Sequence, residues 1–254
     1  MALFVDGPPA GLDELSAQDS QLLSVANLEG IDVSQKARIA QEELEIELDV
    51  LLRGFSYSRK FLWSEETPCL RHVVVTQPLR LWHVYRSIEL VYMDAYYSQL
   101  NDRYAEKQAQ FHQLAWWASD KLIHAGLGLV ALPLRRGEPP TVTSTAGSLE
   151  SGTYYISTGW VNRSGEESAG TAPTTYTVTS ASLMVQPSCP PEFATGWHVY
   201  VGTSPDSLIR QDGTPIDLNA PWMQPDVLLT AGARPSRGQE PNYIQATPRV
   251  LERG

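Results

Sequence analysis

Through the first half of the chain apolar residues recur at three- and four-residue spacing, and through the second half they alternate. The pattern predicts a helical region followed by a β region. Ser16–Asn27 is a short helix candidate ended by Gly30. Asp32 follows as an N-cap with Gln35 three residues on, the spacing of reciprocal capping partners. Val33, Ala37, Ala40, Leu44, Leu48 and Leu51 then mark one face of a helix, and Gly54 is placed to stop it. Residues 55–78 are less regular. "HVVVTQP" reads as a short extended piece, with Pro78 opening the next helix. Leu81, Tyr85, Ile88, Tyr92, Ala95 and Gln99 form one stripe, and Leu100, Tyr104, Phe111, Leu114, Ala118, Leu122 and Ala125 a second. As one helix this segment would span about 70 Å at 1.5 Å per residue. Asn101-Asp102 favours a break, so one helix and two both remain open, with Gly126 and Gly128 as the end.

Past "LPLRRGEPP" the grammar changes to Thr, Ser, Gly and Pro. "TYYISTGWVN", "TYTVTSASLMVQP" and "GWHVYVGTSPDSLIRQ" are strand-length runs between turn residues, as in an antiparallel sandwich. Tyr155, Trp160, Val178, Leu183, Val185, Trp197, Val199 and Val201 would supply its core. The expected organisation is a helical domain over residues 1–134, a linker at 135–141, a β-sandwich over 142–232 and an extended arm over 233–254.

At 254 residues the chain has room for two domains, and its net charge of −10 excludes affinity built on phosphate neutralisation. An acidic surface does suit a passage through which DNA slides without sticking. The two cysteines, Cys69 and Cys189, are isolated in separate halves, as in a reduced intracellular protein. The opening "MALFVDGPPAGLDE" has neither a basic stretch nor a long apolar run and predicts no signal peptide.

Two groups of residues carry the functional expectations. Glu42, Glu43, Glu45, Glu47 and Asp49 crowd one helix, either as a solvated surface or as a wall facing a negatively charged polymer. The adjacent pairs Tyr96-Tyr97 and Trp116-Trp117 cannot each point at a single core, because helix neighbours face about 100° apart. Either those helices are buried on two sides, or one aromatic of each pair meets another subunit. In "NAPWMQP", Trp222 is the aromatic expected to be exposed for binding. No phosphate-cradling loop, GxSxG, HExxH or zinc-spaced Cys/His set occurs, so neither an enzyme nor a cofactor is expected.

"GTYYISTGWVNRSGEES" resembles the closing hairpin of a fibronectin type III or immunoglobulin-like module through Gly152, Tyr154, Val161, Asn162, Gly165, Glu167 and Ser168. "GWHVYVGTSPDS" resembles a middle strand and turn of the same module through Gly196, Val199, Tyr200, Gly202, Thr203 and Ser204. In the ordinary module the second motif precedes the first. The resemblance therefore implies a cyclic rearrangement of the sandwich or a phage-type variant. The first half, with a short helix, "EGID", the acidic helix "QKARIAQEELEIEL" and a long aromatic-rich segment, resembles head–tail connector (adaptor) proteins of tailed bacteriophages. That resemblance implies a neck protein of the virion: a homo-oligomeric ring, usually of twelve subunits, beneath the portal and contacting neck or tail proteins. DNA would pass through it without sequence-specific binding, and no membrane would be involved. The alternatives are another virion part (tail, baseplate or capsid decoration) and a bacterial glycan- or protein-binding module.

Overall fold

The computed structural model describes residues 1–56, 67–99, 102–225 and 227–245. They form a helical region followed by a region of antiparallel sheet. The contacts divide the chain into two compact units. One joins Met1–Asp6 to Leu132–Glu240, and the other joins Gly7–Ala131 to the residues from Pro241 onward.

The helical unit contains α1 (Leu12–Gln18), α2 (Leu22–Glu29), α3 (Val33–Ser56), α4 (Gln77–Gln99) and α5 (Ala105–Ala125). The helix expected over Ser16–Asn27 is divided between α1 and α2, because Asp19 is extended and its Oδ1 accepts the Gln21 N–H at 3.0 Å. Gly30, at φ +69°, ends α2 in the left-handed conformation that glycine adopts without strain. Asp32 then caps α3, its Oδ1 accepting the N–H groups of Ser34 and Gln35 at 2.9 and 3.2 Å. α3 runs on through Gly54, the residue expected to stop it. The segment that could have been one long helix is two. After α4 a 3-10 turn at Asp102–Tyr104 sends the chain back, and α5 packs along α4.

α4 is the central element and packs against each of the other four helices. Val84, Ile88, Val91, Tyr92 and Ala95 meet Leu15, Leu22, Val25 and Phe111 in one core. Burial on so many sides takes polar groups inside, where they need partners. His83 bonds the Ala37 carbonyl through Nε2 at 3.0 Å, and Ser87 donates to the His83 carbonyl at 2.7 Å. Asp19 accepts from the Tyr92 hydroxyl at 2.6 Å and from Lys107 at 3.0 Å. After α5, Gly126 (φ +94°) leads into β1 (Leu127–Leu129).

The second unit holds β2 (Thr141–Ala146), β3 (Gly152–Asn162), β4 (Thr174–Val178), β5 (Ala181–Gln186), β6 (Ala194–Gly202), β7 (Ile209–Arg210) and β8 (Trp222–Met223). They form two antiparallel sheets, ordered β2-β5-β8 and β4-β3-β6-β7. One apolar cluster draws Leu183, Val185 and Trp222 from the first sheet and Ile156, Trp160, Trp197, Val199 and Val201 from the second. Trp160 and Trp197 are direct partners across the β3–β6 ladder, and such aromatic pairs stabilise a sheet.

The segment expected as an arm, 233–254, is tied down over its described part. Gln239 is buried: its side chain accepts from the Leu134 N–H at 2.7 Å and donates to the Leu132 carbonyl at 2.9 Å. Its own carbonyl accepts from the amino group of Met1 at 2.8 Å. Beyond it, β9 (Asn242–Ile244) pairs with β1 inside the helical unit.

Candidate functional site

One face of the helical unit gathers the unusual side chains. On α4, Trp82, Arg86 and Glu89 lie four and three residues apart and so share a stripe. Arg86 reaches α3, where Nε and Nη2 hold both oxygens of Glu43 at 2.5 and 3.1 Å. It also pairs with Glu89 at 2.8 Å. Glu89, with a side chain only 3% exposed, meets His112 of α5 at 2.8 Å. Three helices are thus stitched by Glu43, Arg86, Glu89 and His112. The Glu43 and Glu89 carboxylates, working against burial, raise the already high guanidinium pKa further.

These contacts fix which stripes border the network. On α5, His112, Trp116, Ser119 and Ile123 follow helical spacing, and Trp116 is 72% exposed. On α3, Glu43, Ile46, Glu47 and Val50 do the same, and Ile46 is 66% exposed. Between α3 and α4 runs an open groove of about 310 Å³ lined by Glu43, Leu44, Ile46, Glu47, Trp82 and Arg86. Solitary exposed apolar residues are ordinary on a protein surface, but a set bordering a charge network centred on the buried Glu89 is not.

Against that geometry the expected residues divide. Tyr96 is part-buried against the core and Tyr97 is exposed, with the rings edge-to-face at 5.2 Å. Trp116 and Trp117 are both exposed. The five acids do not form one wall, because successive helix positions rotate by about 100°. Glu42 pairs with Arg38, Asp49 with Arg53 at 2.5 Å and Glu43 with Arg86. Among the described residues, ion pairs are not formed by Glu45 and Glu47. Trp222, expected at the surface, is 7% exposed and belongs to the β core. It sits in β8, opposite Val185 of β5, so a pairing invisible in "NAPWMQP" turned it inward. Arg86 and Glu89 stand at the three-residue spacing of a helical ion pair, but their links to Glu43 and His112 span 43 and 23 residues and had no sequence signal.

In the β unit the hairpin motif acts as a scaffold. Asn162 Oδ1 accepts the N–H groups of Ser164 and Glu166, each at 3.0 Å, while its Nδ2 donates to Glu166 at 2.7 Å. The Ser168 hydroxyl accepts the Trp160 N–H at 2.9 Å. Glu167 accepts from the Tyr200 hydroxyl at 2.6 Å, beside a pair in which His198 meets Asp212 at 2.7 Å. Burial raises the Glu167 pKa despite that hydrogen bond and the nearby His198 and Arg210. Gly159 makes the space: a Cβ there would stand 2.3 Å from Glu167 Oε1. These groups brace the turn and one sheet face. Among the described residues no cluster of His, Cys, Asp and Glu is arranged to hold a metal ion. Among them, too, no helix is long and apolar enough to cross a membrane.

In comparisons with known proteins, no family model, curated protein or solved structure matches this chain.

Proposed function

We propose that this chain is a structural protein of a tailed-phage neck, assembling as a ring between portal and tail around the DNA channel. The observation that carries the reading is the number of large apolar residues left exposed on one helical unit, Trp116 and Trp117 as well as Ile46, Val50 and Tyr97. Large aromatics are the residues that subunit interfaces bury, and a ring needs interfaces on every copy. The overall negative charge suits a channel that must not retain DNA. In this reading the stripe of Glu42, Glu45 and Asp49 is the part of α3 left for the channel.

The β unit is the immunoglobulin or fibronectin type III-like partner domain in permuted order. Support comes from seven strands split three and four between two antiparallel sheets, with the motif strands β3 and β6 paired at the centre of the larger sheet. Its job is contact with capsid, tail or neighbouring subunits. Trp222, the candidate for exposed binding, is 7% exposed, which lends no support to the glycan-binding alternative.

Electron microscopy of the protein with and without its cognate portal protein tests the proposal. Closed rings seated on the portal are the expected result. A monomer at every concentration, with and without portal, overturns it.

A further inference from the structure

We infer that copies of this chain join head to tail, the α5 edge carrying Trp117, Lys121 and His124 entering the acidic α3–α4 groove of the next copy. The inference deepens the ring reading and rests on it for closure, because it names the two surfaces that meet.

The first observation is the shape of the helical layer. α3 and α5 each pack on α4 but share no comparable contact with one another, so they flank it and leave two free edges. The second is that these edges differ. The groove is lined by Ile46 and Trp82 and carries the carboxylates of Glu43 and Glu47. Glu43 is bound to Arg86, whereas Glu47 makes no ion pair among the described residues. On α5, Trp117, Lys121 and His124 are spaced by four and three residues and form one stripe. Trp117 is 44% exposed, and the Lys121 and His124 side chains are 50% and 71% exposed.

The third observation is charge. Among the described lysines, Lys36 and Lys107 are held by Asp94 and Asp19 within 3.0 Å. Lys121 meets its neighbour Asp120 at 3.4 Å, a loose contact to a carboxylate that is shared with His124 at 3.2 Å. A cation near the C-terminus of a helix is also favoured by the helix dipole, but that accounts for Lys121 and leaves the exposed Trp117 unexplained. An apolar ring beside a cation on one edge matches an apolar groove with an uncompensated carboxylate on the other. Glu43 already occupies Arg86, and Glu47, unpaired among the described residues, would repel phosphates, which argues against nucleic acid in the groove. Because the two surfaces are different, the contact is heterologous and propagates into a ring or an open filament.

The test is charge exchange in the full chain. Sedimentation of wild type, Glu47→Lys, Lys121→Glu and the double variant is followed across concentration, alone and on the portal protein. Each single change puts like charges together and should weaken association by about tenfold, as close interfacial pairs do. The double variant restores the opposite pairing and should recover most of that loss. All three variants should keep the helical circular dichroism of the wild type. Assembly by the wild type with no loss in the singles, or no rescue in the double, overturns this pairing while the ring reading stands. A wild type monomeric under both conditions overturns both.

Discussion

Asp19 in the helical unit and Glu167 in the β unit withdraw a carboxylate from water in different ways. In the helical unit the buried carboxylates described each come with a cation: Glu89 with Arg86, and Asp19 with Lys107. The same charges reach between elements. Arg86 of α4 also holds Glu43 of α3, Glu89 of α4 meets His112 of α5, and Lys107 of α5 reaches Asp19 beyond α1. They therefore set how helices pack. In the β unit Asp212 likewise meets His198 and Arg210 at 2.7 and 3.6 Å, but its neighbour Glu167 has the Tyr200 hydroxyl and, among the described residues, no ion pair at bonding distance. The difference shows in the ionisation. Burial alone would raise the Asp19 pKa, but hydrogen bonds from Tyr92, Lys107 and the Gln21 N–H outweigh it and leave the pKa lowered. Burial wins at Glu167, whose pKa is raised. Burial is tolerated in both places, but only one of them holds its negative charge in comfort.

The comparison breaks most severely at a core residue of one unit. Trp197→Ala, which empties the centre of the β cluster, should cost about 3–5 kcal/mol. Calorimetry should then show the β transition moved far down while helical ellipticity survives to its usual temperature. Loss of both signals together would mean that the units melt as one.

Next in size is Arg86→Leu, which leaves the buried Glu89 with only the exposed His112 as a partner and should cost about 3 kcal/mol by chemical denaturation. Adding Glu89→Leu to it should recover part of that loss, because an under-compensated buried charge is worse than none. A smaller effect, about 1–3 kcal/mol, is expected from Gly159→Ala, which pushes Glu167 off Tyr200 and leaves a buried hydroxyl unpaired. Tyr200→Phe in the same background should blunt it.

The smallest and most discriminating effect is pH. Burial lowers the His83 pKa from its ordinary 6.5. The unfolded chain therefore takes up that proton first as the solution is acidified. The stability this histidine contributes is full above pH 6.5 and is lost as the pH falls from there through the folded value. Asp19 adds to the loss below its ordinary 3.8. Glu167 has the opposite sign: its contribution is full below 4.5 and is lost as the pH rises through its raised folded value. Hydrogen exchange read by mass spectrometry at the two ordinary values, pH 6.5 and 4.5, should show the helical unit loosening in acid while the β unit tightens slightly. Parallel changes in both units would sink the contrast.

Much of this architecture was legible along the chain, for reasons that are local. Asp32 caps and Gly30 stops because capping and left-handed turns depend on neighbours within three residues. "TYYISTGWVN" reads as a strand from its aromatic and β-branched residues, and the structure makes it β3, although burial runs unbroken from Ile156 to Asn162 and the core takes Tyr154 in place of Tyr155. What was hidden depends on pairings at a distance. Nothing near Trp222 announces that β8 will lie against β5. The acidic run read as either a solvated surface or a wall, and its pairing with arginines at positions 38, 53 and 86 depends on helix geometry and on a second helix. Trp82, Arg86 and Glu89 share a face by spacing alone, but only Glu43 and His112 show that the face is where three helices meet.

The exchange of chain ends has a consequence for synthesis. Met1–Asp6 belongs with residues 132–240, while β9 completes a pairing with β1 some 115 residues earlier. Some 125 residues must emerge from a ribosome before the opening segment has anywhere to dock, and β1 waits for almost the last of the described residues. Neither unit is finished before the other has been made, so no single cut in the polypeptide yields two whole halves. A gene divided between the helices and the strands would give each product a missing edge and a stray piece of its sibling, which are the conditions for exchange of segments between copies.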